Sequence, residues 1–128
     1  MLTIIQTNAS RLRELHRKVH ETFEHRSESK KALKIWEDAC RRFHSEYDSL
    51  AFPGGLNKGL GKIKAGDLQT IEIALNYLEN TPYCFRSQYV ATYLRRALNK
   101  IVLPPLFASR FAMWKEQKKK NEPPANVA

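Results

Sequence analysis

Three observations predict an all-α fold: apolar residues recur three and four apart over most of the chain, capping and proline or glycine signals separate those stretches, and no alternating strand pattern interrupts them. The 128 residues fall in the size range of a single compact domain, expected over residues 1–118, with a flexible basic, proline-containing tail at 119–128. A composition of 42% hydrophobic and 27% charged residues is that of a chain able to close a core, and excludes a wholly disordered protein. Four to five main helices are expected, built on an antiparallel hairpin in the N-terminal half.

Leu12, Leu15, Val19 and Phe23 share one helical face behind the potential caps Asn8 and Ser10, predicting a first helix from about residue 9 to 26. Its other face carries Glu14/Lys18 and Arg17/Glu21 ladders, which belong to a solvated surface. After Ser27 and Ser29, the series Leu33, Trp36, Cys40, Phe43, Tyr47 and Leu50 forms the seam of a long second helix, and pairing it with the first makes the hairpin. All five glycines lie between Gly54 and Gly66, which reads as a hinge or loop in which Leu56, Leu60 and Ile63 allow a short amphipathic helix. Gly66 followed by Asp67 marks one helix stop and the next start.

Leu68, Ile71, Ala74, Leu75 and Leu78 line the buried stripe of a third main helix. Ile73 and Tyr77 point away from that stripe, so the helix is either covered on two sides or exposes a partner-binding patch. Thr81-Pro82 signals the start of a fourth, with Val90, Leu94, Ala97, Leu98 and Ile101 facing the core. Tyr83 and Phe85 are expected to anchor its beginning to the hairpin. Pro104-Pro105 ends it, and a fifth helix carries Leu106, Phe107, Phe111, Met113 and Trp114.

Charge is distributed unevenly along this scaffold. Residues 81–128 carry nine basic and two acidic side chains, so this part supplies +7 of the net +9, and residues 80–115 contain no Asp or Glu at all. Such asymmetry creates a field that favours anionic partners. On a helical wheel Tyr89, Tyr93, Arg96 and Lys100 fall in a narrow arc bordering the apolar face of the fourth helix, and Arg86 extends it. Cations that neutralise phosphates beside rings that stack on bases suit RNA or single-stranded DNA. The same residues also fit a packing role, with tyrosine rings buried at a core edge and arginine in intramolecular cation-π contact.

Other constellations carry less. Gly54-Gly55-Leu56-Asn57-Lys58-Gly59-Leu60-Gly61-Lys62 departs from a phosphate-binding loop, because Leu56 stands where glycine is needed and Ile63 follows the lysine. His16, His20, Cys40 and His44 sit at four-residue spacings on the hairpin helices and would converge on zinc only for one hairpin handedness, so no metal is assigned. Cys40 lies in the helical seam, where a reactive thiolate is disfavoured, and no catalytic motif or paired-carboxylate arrangement occurs. With two cysteines, no apolar run of membrane-spanning length and no signal-peptide pattern, a cytoplasmic chain with reduced thiols is expected.

The expected function is therefore a small non-enzymatic binding module without a cofactor. Arg86, Tyr89, Tyr93, Arg96 and Lys100 would contact an anionic partner, nucleic acid first and an acidic protein second. The competing expectation is a protein-interaction or homodimer surface made by Phe107, Arg110, Phe111 and Trp114, where aromatic residues and arginine are enriched.

Overall fold

The computed structural model describes residues 2–121. Its helices are α1 (Leu2–Phe23), α2 (Lys30–Ala51), α3 (Leu56–Lys64), α4 (Leu68–Glu79), α5 (Ser87–Asn99) and α6 (Pro105–Asn121), and no strand is present among the described residues. The all-α single domain on an N-terminal hairpin is as the periodicity predicts, with α1 and α2 making the most extensive helix–helix contact. Leu12 and Leu15 meet Phe43 at its centre, and Val19, Tyr47 and Leu50 pack around them. Arg11 and Glu46 close one flank at 3.2 Å.

α1 starts seven residues earlier than predicted, so Asn8 and Ser10 lie inside the helix and cap nothing. Ile5 and Ala9 extend the apolar stripe backwards and are buried, which draws the first two turns onto the core. Ser29 does cap α2, its side chain accepting the Ala32 amide at 3.0 Å.

The glycine-bearing segment is largely helical rather than a loop. Gly59 and Gly61 stand within α3, and Gly59 is needed for space: a Cβ there would lie 2.7 Å from two ring atoms of Phe52, which is wholly buried. At the end of α3, Gly66 (φ 82°) donates to the Ile63 carbonyl at 2.9 Å and Asp67 to that of Lys62 at 3.0 Å, the double bond of a Schellman stop. The Asp67 side chain then accepts both the amide and the hydroxyl of Thr70, which holds its carboxyl below the usual range and starts α4.

α4 is the central element, in contact with α1, α3, α5 and α6. Being covered on two sides, it buries Ile73 and Tyr77 together with Ile71, Ala74, Leu75 and Leu78, whereas Leu68 at its exposed start stays in solvent. The Tyr77 hydroxyl is buried without a hydrogen-bond partner in the structure, and burial drives its pKa far up. Removing an unsatisfied buried hydroxyl relieves a desolvation penalty, so Tyr77→Phe is expected to stabilise the domain by about 1 kcal/mol. Urea unfolding checks this; a destabilised variant would mean that the hydroxyl has a partner in solution.

Candidate nucleic-acid interface

α5 begins five residues after Pro82, later than the Thr81-Pro82 signal predicts. The cause is tertiary. Cys84 and Phe85 pack against the Leu12, Leu15 and Phe43 cluster of the hairpin, and this docking holds the segment before Ser87 out of helical geometry. Tyr83 does not share the anchoring: it is 89% exposed, and Arg13 instead holds its carbonyl at 2.5 Å. Arg86 ends up as the N-cap of α5 with φ 60° and ψ 21°, the one non-glycine residue with positive φ among those described. That left-handed conformation costs an arginine about 1 kcal/mol. It sets the guanidinium carbon 5.1 Å from the Phe85 ring centre and 5.9 Å from that of Tyr89.

From Arg86 the basic and aromatic stripe runs along α5 on the outside of the domain. Tyr89 and Tyr93 are 59% and 39% exposed, so neither ring is consumed by the core, and the two lie 5.3 Å apart at 57°. Arg96 follows, and Lys100 stands at the helix end; both are exposed. Among the described residues the ion pairs use Arg11, Arg17, His25, Arg41 and Arg110, and none involves Arg86, Arg96 or Lys100.

The C-terminal aromatic cluster is placed differently. Phe111 is buried, and Phe107 and Trp114 are half-buried against the same core, so these rings dock α6 within the chain rather than facing outward. Arg110 donates to both carboxylate oxygens of Glu79 and to Asn76 at 3.2 Å, clamping α6 to α4 and raising its own pKa through Glu79. The apolar side chains left in solvent nearby are Val102, Leu106 and Met113. α6 runs through Asn121, so Lys119 and Lys120 of the expected tail are helical, and residues 122–128 lie outside the described residues.

A basic surface that sequence reasoning missed opens between α5 and α6. Arg95, Lys115, Lys118 and Lys119 line a cleft of about 540 Å³ with Trp114, against the single acidic side chain of Glu116. Arg95 lies on the opposite side of α5 from the tyrosines, and only the packing of α6 brings the lysines to it. The usable signal was the Lys115, Lys118 and Lys119 spacing, which places three cations along one side of a helix.

On the hairpin, His16, Val19, Cys40, Phe43, His44, Tyr47, Phe85 and Arg86 enclose a pocket of about 270 Å³. The zinc arrangement is not formed: His20 is not among the lining residues, and among the described residues no three His, Cys, Asp or Glu side chains are grouped to hold a metal ion. His16 instead stacks on Phe85 at 4.6 Å and meets Phe43 at 5.6 Å. Burial, and then the neighbouring His20, lower the His16 pKa below its ordinary 6.5, so the ring is neutral at physiological pH.

A depressed pKa means that the unfolded chain takes up this proton first. His16 therefore contributes stability that is fully present above pH 6.5 and lost as pH falls towards its lowered folded value. His25 acts with the opposite sign, because Glu28 raises its pKa. His16→Gln is expected to flatten the loss of stability below pH 6.5, read as urea midpoints on either side of that value; an unchanged pH profile would refute the assignment.

No protein-family model matches the chain, and no curated protein or solved structure matches it either. No helix among the described residues is long and apolar enough to cross a membrane.

Proposed function

We propose that this protein is a small non-enzymatic module that binds single-stranded nucleic acid along α5. The observation that carries the reading is the stripe itself: Arg86, Arg96 and Lys100 are exposed and free of ion pairs among the described residues, and they flank two exposed, adjacent tyrosine rings. Cations at this spacing follow a phosphate backbone, and tyrosine faces accept bases of any identity, a combination that favours flexible single strands over duplexes. The α5–α6 cleft adds four further cations on the other side of α5.

Binding of a fluorescent single-stranded RNA across a salt series tests the proposal. Affinity is expected to fall with a log-log slope of about −0.7 for each phosphate neutralised, hence about −2 if the three stripe cations are all engaged. Failure of both RNA and single-stranded DNA to bind at low salt would end this reading.

A second reading, self-association, is favoured by Leu106 and Met113, which are 81% and 65% exposed and lie seven residues apart on one side of α6, close to the exposed Val102. Light scattering on the same samples is expected to show a dimer if that patch is an interface.

A further inference from the structure

We infer that the hairpin pocket beside Arg86 receives one unstacked nucleobase of the bound strand, while the neighbouring phosphate rests on the Arg86 guanidinium. This rests on the nucleic-acid reading of α5 and extends it from charge to base recognition. Arg86 belongs to both surfaces, as it lines the pocket and begins the stripe. A strand lying on Tyr89 and Tyr93 therefore passes the pocket mouth.

The pocket suits a single planar heterocycle. Its volume of about 270 Å³ lies just below the range of drug-sized ligand sites, which leaves room for one ring system and little else. Phe43, Phe85 and the neutral His16 already form an aromatic wall at centroid distances of 4.6 to 5.6 Å, with His16 stacked on Phe85 and Phe43 tilted or edge-on to both, and an incoming base packs against that wall. Tyr47 and His44 in its lining supply hydrogen-bonding groups to a base edge. Tyr47 keeps its phenolic proton, since burial raises its pKa. The α5–α6 cleft is less suited to this role: its lining holds four cations and one aromatic ring, Trp114, so it offers chiefly charge, whereas the hairpin pocket brings several rings together.

The experiment compares single-stranded RNA of about eight nucleotides with an abasic sugar–phosphate strand of equal length and charge. Cys40 lines the pocket and Cys84 does not, so alkylation of each, read by mass spectrometry at matched saturation, reports occupancy with an internal reference. The base-bearing strand is expected to bind about tenfold more tightly than the abasic one and to slow alkylation of Cys40 but not of Cys84. Phe85→Leu keeps apolar volume without the ring and is expected to abolish the protection of Cys40 and to reduce that advantage, the remainder being base stacking on Tyr89 and Tyr93. Equal binding of the two strands with unaltered Cys40 reactivity would overturn the base pocket while leaving the charged stripe intact. Absence of binding by either strand would overturn both readings. Should Phe85→Leu not fold, the Cys40 comparison on the unaltered protein still decides the question.

Discussion

The variant Arg86→Gly, Arg96→Ala, Lys100→Ala is expected to bind single-stranded RNA more than about a thousandfold more weakly at moderate salt. Each charge-assisted contact to a phosphate contributes about 1.5 kcal/mol or more, so removing three lowers affinity by more than about a thousandfold. Glycine is chosen at position 86 because φ 60° suits it, so the variant releases backbone strain instead of adding it and the fold is not penalised. Lys30, Lys31 and Lys34 on α2 provide the control: all three are exposed, and replacing them by Ala removes the same charge from a different helix. If net charge alone attracts the strand, the two triple variants lose affinity equally. If α5 is the site, only the first does, and its residual binding has a salt slope shallower by about 2. A correctly folded α5 variant with undiminished affinity would remove the stripe from the mechanism.

Phe52→Ala is expected to cost the domain about 3 to 5 kcal/mol, against a total stability of about 5 to 15 kcal/mol for a chain of this class. Phe52 is 0% exposed and lies where the end of α2, α3 and α4 meet, with the Tyr77 ring 6.3 Å away. The cavity left by its ring is enclosed by three helices that cannot all move inward. Gly59→Ala attacks the same contact from the other side. Alanine improves helix propensity by about 1 kcal/mol. Its Cβ, however, meets a ring at 2.7 Å that has no free space to move into, and overpacking of this kind costs about 1 to 3 kcal/mol, so destabilisation prevails. Because both substitutions act on one contact, Phe52→Leu combined with Gly59→Ala is expected to be less destabilising than the two single effects added together. Strict additivity in chemical denaturation would show that the close approach of α3 to Phe52 is not what constrains residue 59.

The consequences of these two experiments differ in kind. The first concerns a surface that the fold holds rigid but does not need, and the second concerns the junction that fixes α3 beside α4. α3 and α5 are themselves in contact, so loosening the Phe52 junction also loosens the support beneath the stripe. A modest fall in RNA affinity is therefore expected for Gly59→Ala even though no residue near the stripe has changed.

Helix identity was legible in this chain because it is local: Leu12, Leu15 and Val19 declare a face, Ser29 caps the amide three residues on, and Gly66-Asp67 closes one helix and opens the next. The stripe of Tyr89, Tyr93, Arg96 and Lys100 was legible for the same reason, since residues three and four apart share a helix side whatever lies beneath. The function of apolar residues was not. Phe111 and Tyr89 are both aromatic residues on helices, yet one is buried and the other mostly exposed, because packing partners far along the chain decide which rings are covered. Tertiary structure alone carried Phe85 into the α1–α2 cluster, pushed Arg86 into a left-handed cap and joined His16, Cys40 and Arg86 around one pocket. Local sequence sets the helices and the one-sided charge, which depend on neighbours within a turn or two. Where the positive stripe meets an aromatic pocket was decided by helix docking across about seventy residues of chain, a relation that no local periodicity encodes.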